Sequence, residues 1–229
     1  MAIVGIDKLS LLDYEDKVSV VLFSQACNFR CPFCHNGDSV LNAQEELDFN
    51  DILAFLKTRV GLVDAVVFSG GEPTLENDLE VKMKAVKNLG FLIKLDTNGT
   101  NPELLEKLLD DKVVDYVAMD IKNSPSLYAE TSGVRQINLD KIKKSIAIIM
   151  SKAPDYEFRT TLVKEFHERM NYDEFYELVK GCKQLFLQKF VDREGCIRKG
   201  LHEVDGLEAT KLREYLLSKG LKSVILRGY

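Results

Sequence analysis

The 229-residue sequence has no apolar run approaching the roughly 20 residues that cross a bilayer. It also lacks a basic segment followed by an apolar core at its start, so no secretory leader is expected. These two absences predict a cytoplasmic chain with no membrane partner. There is no Pro/Gly/Ser linker, no low-complexity tract and no strong repeat, which predicts one domain over residues 1–229. Excess positive charge is missing as well. With 31 Lys and Arg against 36 Asp and Glu, the formal net charge is −5. The general attraction to phosphate on which nucleic-acid binders rely is absent, so no nucleic-acid partner is expected. At 45% hydrophobic and 29% charged residues, the composition is that of an ordinary folded chain, not a disordered, collagenous or disulfide-scaffolded one.

Cysteine is scarce and uneven. Of five cysteines, Cys27, Cys31 and Cys34 fall within eight residues, while Cys182 and Cys196 stand apart. In a reducing compartment such a group binds metal or does chemistry more often than it forms disulfides.

The hydrophobic pattern alternates between two kinds of segment. Val18–Phe23 and Ala65–Phe68 are continuous apolar, β-branched runs suited to strands buried on both faces of a parallel sheet. Further strands are expected at Phe91–Leu95, Val113–Met119, Tyr156–Val163 and Leu185–Phe190, with a short one at Ser223–Leu226. Between them lie helices. One is capped by Asp48 and runs to about Val60. One carries Leu79, Met83 and Val86, and Gly90 ends it. Others are opened by Asn101 with Pro102, by Asn138, and by Asn171 with Glu174 in a capping-box spacing, with a last helix over Leu207–Lys219. Six strand–helix alternations predict an α/β fold with a parallel sheet. Ligands of such folds sit at the C-terminal ends of the strands. The polar segments there are Ser24–Gly37, Ser69–Thr74, Asp96–Gly99, Asp120–Asn123 and the strand end holding Arg159.

Cys27-Asn-Phe-Arg-Cys31-Pro-Phe-Cys34 has the spacing C-x3-C-x2-C. Three thiolates on one loop can hold three irons of a 4Fe–4S cluster and leave the fourth open for a substrate. Two other readings stand beside it. One is zinc, with His35, His167, Cys182 or Cys196 as a fourth ligand; the other is free thiols. Cys182 and Cys196 suit ordinary packing, His35 suits either a site neighbour or an uninvolved loop residue, and His167 and His202 read as surface residues.

The three cysteines, with Phe33 before the third, resemble the radical S-adenosylmethionine (SAM) signature. The longer string CNFRCPFCHN is similar to the activating enzymes of glycyl radical enzymes, including those of pyruvate formate-lyase and anaerobic ribonucleoside-triphosphate reductase. SLLDY, FSGGEPT, LDTNGT and AMDIK follow the same order, so the likeness is strong over about residues 9–125 and weaker beyond. The resemblance implies an open (β/α)6 partial barrel whose cofactors are a 4Fe–4S cluster on Cys27, Cys31 and Cys34, and SAM. It implies that Glu72 meets the methionyl amine beside Gly70 and Gly71, which let backbone approach the ligand. It sets Phe33, Asp96, Asn98, Asp120, Lys122 and Arg159 around SAM, and offers Asp120 and Thr97 to a monovalent cation. The family's methionine at that cation site is Ala118 here. The implied reaction is reductive cleavage of SAM and abstraction of a glycine α-hydrogen in a partner glycyl radical enzyme, with reduced flavodoxin or ferredoxin as electron donor. A radical SAM enzyme acting on a small molecule, such as a nucleobase precursor, and a non-enzymatic zinc module are the alternatives.

Overall fold

The computed structural model describes residues 2–229. Strand β1 (Ile3–Ser10) comes first, and the apolar runs then become strands where expected: β2 (Ser19–Ser24), β3 (Ala65–Gly70), β4 (Leu92–Thr97), β5 (Tyr116–Asp120), β6 (Tyr156–Leu162), β7 (Leu185–Lys189) and β8 (Val224–Arg227). β1 is the addition. Its sequence IVGIDKLS carries Gly5, Asp7 and Lys8 and two register breaks against β2, so it shows neither an apolar run nor clean alternation. All eight strands form one sheet in chain order. β1 runs antiparallel to β2, and β2 to β8 are parallel throughout.

Parallel neighbours require crossovers, and helices supply them. α1 (Gly37–Leu41) and α2 (Phe49–Lys57) link β2 to β3, α3 (Leu79–Lys87) links β3 to β4, and α4 (Pro102–Asp110) links β4 to β5. α5 (Tyr128–Thr131) and α6 (Leu139–Lys152) precede β6, α7 (Lys164–His167) and α8 (Tyr172–Val179) precede β7, and α9 (Gly206–Ser218) precedes β8. The result is the open (β/α)6 partial barrel: six strand–helix units from β2 to α9, preceded by β1 and followed by β8.

Short polar side chains start the helices by satisfying otherwise orphaned N–H groups. Asp48 Oδ1 accepts from Asn50 N–H at 2.7 Å, and Asn138 Oδ1 accepts from the N–H groups of Asp140 and Lys141. Asn171 caps α8 in the same way, but Glu174 does not close a capping box. Its carboxylate accepts instead from Ser126 N–H and the Asn171 side chain. Two boundaries also move. The helix after Asp48 ends at Lys57, not Val60. The strand expected from Val113 begins at Tyr116, because Val113 N–H closes the end of α4 on Leu108 O.

The helices bury Leu56, Met83, Leu105, Ile149, Phe175 and Leu212 against outward-facing strand residues such as Leu22, Phe68, Ile93 and Phe158. Each such side chain contributes roughly 1.5–3 kcal/mol of transfer free energy. The concave face is different. Tyr14, Val21, Ala65, Val67, Tyr116 and Ala118 form a small apolar floor. Above and beside it, alternation along β4, β5 and β6 turns Lys94, Asp96, Asp120, Glu157 and Arg159 inward.

Candidate active site

The strand ends open into a cavity of about 220 Å³. Every residue that the resemblance assigned to the cluster or to SAM lines it: the three cysteines and Phe33 from the loop after β2, Gly70, Gly71 and Glu72 at the end of β3, Asp96 and Asn98 at the end of β4, Asp120 and Lys122 at the end of β5, and Arg159 from β6. Segments up to 132 residues apart in sequence thus share one mouth.

The cysteine loop is fastened from four sides. Glu72 N–H donates to Ala26 O at 2.9 Å, Arg30 N–H to Ser132 O at 2.9 Å, Gly37 N–H to Gly195 O at 3.1 Å and Arg198 N–H to Pro32 O at 2.7 Å. His35 Nε2 donates to Val191 O at 3.0 Å. Ala26 takes a left-handed backbone with φ 62°. Such a conformation costs about 1–3 kcal/mol unless its surroundings impose it. A Cβ on Gly71 would stand 1.8 Å from Ala26 O, and one on Gly70 2.5 Å from Ser24 N. The GG pair therefore makes room for the chain's own cysteine loop, and both glycines also line the cavity.

Glu72 is fully buried. Its Oε1 accepts from Thr74 N–H (3.2 Å), Thr74 Oγ1 (2.5 Å) and Thr97 Oγ1 (2.7 Å), and its Oε2 accepts from Asn98 N–H (2.6 Å). Burial raises its pKa, and the four donors work against that rise. A carboxylate so engaged ties the β3 end to the β4 end.

Asp120, Lys122 and Arg159 form the charged wall. Asp120 accepts from Lys122 Nζ at 2.9 Å and from Arg159 Nε at 3.0 Å. Burial alone would raise the Asp120 pKa, but the two cations outweigh it and hold the carboxyl well below the usual range. Burial likewise works against the Lys122 charge, yet Asp120 keeps the ammonium protonated. Both Asp120 oxygens are thus held by cations and the Thr97 hydroxyl by Glu72, so the groups offered to a monovalent cation are already engaged. Asp96 Oδ2 accepts from Ser69 Oγ at 2.8 Å, while Asp96 Oδ1 is buried with no hydrogen-bond donor.

The thiols fit a cluster. Burial pushes the Cys27 thiol up to about 11 and the Cys31 thiol up to about 12, and it raises Cys34 as well. Thiolate charge in such a place needs a bound cation to hold it. Among the described residues, no three Cys, His, Asp or Glu side chains converge as ligands of one metal ion. A cluster does not ask for that convergence, since each thiolate meets its own iron. Phe33, buried behind Cys34, packs on Phe166 and Phe190 at ring distances of 6.0 and 6.4 Å. Cys182 is buried in the core, and Cys196 is buried with its sulfur 3.9 Å from Phe33 O.

Of the two histidines expected at the surface, the structure buries one. His202 is exposed beside Glu165, but His167 is only 5% exposed. Its Nε2 lies 2.9 Å from Lys122 O, a carbonyl that can only accept, so Nε2 carries a proton and donates there, while Nδ1 meets both Val163 N–H at 3.0 Å and Val163 O at 2.9 Å. Desolvation lowers its pKa and keeps it neutral. The pattern FHERM showed no apolar periodicity that would have signalled burial. Thr161 at the cavity, and Ser132 and Gly195 behind the cysteine loop, carry no expectation from the sequence. Of these, Gly195 carried a signal, as a glycine inside a polar segment whose backbone must approach another chain segment closely.

Residues 21–180, from β2 through α8, match the radical SAM superfamily. The chain belongs to that superfamily. Its cofactors are accordingly a 4Fe–4S cluster and SAM, and it is a radical SAM enzyme, which sets aside the zinc module. It is 37% identical over 199 residues to a candidate glycyl-radical enzyme activating enzyme of Methanocaldococcus jannaschii, covering 83% of this chain and 80% of that one. It is 26% identical over 152 residues to 7-carboxy-7-deazaguanine synthase of Thermoplasma acidophilum, covering 65% of this chain and 68% of that one. Among solved structures, Streptococcus suis SuiB bound to S-adenosylmethionine superposes with a TM-score of 0.67 at 18% identity, which shows the shared fold. That match covers 91% of this radical SAM enzyme and half of the SuiB chain. Among the described residues no helix is long and apolar enough to cross a membrane.

Proposed function

We propose that this radical SAM enzyme is an activase that removes a hydrogen atom from the α-carbon of a glycine in a partner glycyl radical enzyme. The 37% identity to the Methanocaldococcus protein over 83% of the chain carries the reading. When bound, the cluster supplies the electron that splits SAM into methionine and the 5′-deoxyadenosyl radical that takes the glycine hydrogen.

In this reading Cys27, Cys31 and Cys34 would hold three irons of the cluster and leave one iron free for SAM. Lys122 and Arg159, whose charges are fixed by Asp120, orient the SAM carboxylate. Asp96 Oδ1, buried without a donor, accepts from a ribose hydroxyl. Phe33 excludes water behind the cluster. One domain carries these parts, and reduced flavodoxin or ferredoxin is the electron donor. The likeness to 7-carboxy-7-deazaguanine synthase supports the second reading, a small-molecule substrate.

One anaerobic experiment separates the two. Reconstituted protein should hold about four irons through Cys27, Cys31 and Cys34 and keep them in Cys182→Ala and Cys196→Ala. Mixed with SAM, reductant and a glycyl radical enzyme of the same organism, it should produce an electron paramagnetic resonance (EPR) doublet that changes when glycine is deuterated at its α-carbon. Silence from every such partner, with SAM still cleaved and a small metabolite consumed, rejects the activase reading in favour of the second.

A further inference from the structure

Cys27 Sγ accepts two hydrogen bonds, from Phe29 N–H at 3.3 Å and from the Asn98 side-chain amide at 3.7 Å. The second donor arrives from the end of β4, 71 residues away in sequence. Its orientation is dictated. Asn98 Oδ1 accepts from Thr100 N–H at 3.0 Å and from the Thr100 hydroxyl at 2.7 Å. A backbone N–H can only donate, so the amide oxygen must face Thr100 and Nδ2 must face Cys27. The same Nδ2 donates to Asn28 Oδ1 at 2.8 Å, and Asn28 Nδ2 donates to Thr100 Oγ1 at 2.8 Å. Asn28, Asn98 and Thr100 thus close a ring in which each side chain fixes the next. The Asn98 backbone is itself held by the buried Glu72 carboxylate at 2.6 Å. Among the described residues, neither Cys31 nor Cys34 has a side-chain donor on its sulfur.

We infer that Asn98 is a positioning residue for the cluster, whose amide hydrogen-bonds the Cys27 sulfur and raises the cluster's reduction potential. The inference rests on reading Cys27 as a cluster ligand. Reduction places more negative charge on the cluster and its sulfurs. An N–H dipole aimed at one of them stabilises the reduced state more than the oxidised state. Asn98 thereby eases delivery of the electron on which SAM cleavage depends. The ring explains why an amide is needed here: a side chain must accept from Thr100 at one end and donate to sulfur at the other.

The test is an EPR-monitored redox titration of anaerobically reconstituted protein. Asn98→Asp preserves shape and the bond from Thr100 N–H but removes the donor, and Asn98→Ala removes both. Each should keep the full iron content and shift the midpoint potential to a more negative value. Thr100→Val, which leaves the amide on the sulfur, should shift it less. Unchanged potentials in both Asn98 variants overturn the inference, even if SAM binds more weakly. Should the variants lose their cluster, the wild-type protein still decides. With asparagine labelled by 15N only at its side-chain amide, pulsed EPR of the reduced cluster should show a 15N coupling, and its absence overturns the inference. Cys27→Ser separates this failure from that of the ligand reading. Cluster loss there with unchanged Asn98 potentials rejects the role of Asn98 alone, whereas full iron content in Cys27→Ser rejects both.

Discussion

At the scale of single residues, the site is organised by buried polar groups that touch each other more than they face solvent. Glu72 shows this best. Its carboxylate accepts from two backbone N–H groups and two hydroxyls, and it joins the GGEPT and DTNGT segments. A glutamine at this position would turn an NH2 group toward donors on at least one side. Hydrogen bonds to a charged group are worth about 1.5–3 kcal/mol, and an orphaned buried donor costs a similar amount. Glu72→Gln should therefore lower stability by about 2 kcal/mol, read as a lower urea midpoint with an unchanged slope. An unchanged midpoint would mean that the carboxylate does not tie the two segments together. Residue type at this site was legible in sequence, since GGEPT and DTNGT stood out. The partner of each residue was not, because Glu72 and Asn98 are 26 residues apart and meet only when β3 and β4 pair.

At the scale of elements, the connections after the strands do the positioning. His167 in α7 clips the chain after β5 to the end of β6 through Lys122 O and Val163 N–H. Its pKa is lowered by burial, so the unfolded chain binds a proton that the folded chain refuses. The unfolded imidazole titrates near pH ~6.5. The stabilising effect of a neutral His167 is complete above that pH and is lost as pH falls below it toward the folded pKa. The slope of stability with pH is positive there, at most about 1.4 kcal/mol per unit for one proton. His167→Gln should be less stable than wild type at pH 8 but should lose stability less steeply between pH 7 and 5. Parallel declines, measured by denaturant titration across that range, would show that His167 is protonated in the folded protein as well. This element-level role was hidden in the sequence. Asp48, Asn101, Asn138 and Asn171 announce their helices because a cap acts on the next three residues, whereas His167 acts across 45 residues.

At the scale of the whole molecule, one sheet in strict chain order carries every part of the site. β8 pairs with β7 and brings Arg227 within 3.6 Å of the buried Glu157, which also lies 3.8 Å from Lys94 and 3.7 Å from Arg159. The last strand therefore serves both as cover for an edge and as a source of charge for the barrel interior. Deleting residues 223–229 should expose the apolar edge of β7, LFLQK, and leave Glu157 with one cation fewer. Size-exclusion chromatography with light scattering should show concentration-dependent self-association, together with a lower melting temperature. A monomeric variant of wild-type stability would show that β8 is dispensable.

The sequence by itself determined the order of β2 to β8 and of the longer helices between them, most helix starts, and the loops that carry the chemistry. These are local properties: an apolar run of five residues, a cap, a trio of cysteines on one loop. It also singled out twelve of the residues that line the cavity, because polar and glycine-rich segments after buried strands have few other uses. Tertiary structure decided what each does there. It assigned the space of Gly70 and Gly71 to the cysteine loop, the carboxylate of Glu72 to two neighbouring segments, and the amide of Asn98 to the Cys27 sulfur. It also turned His167 inward. A hydrogen bond between strand ends depends on which strands are neighbours and in what register, and no window of sequence contains that information.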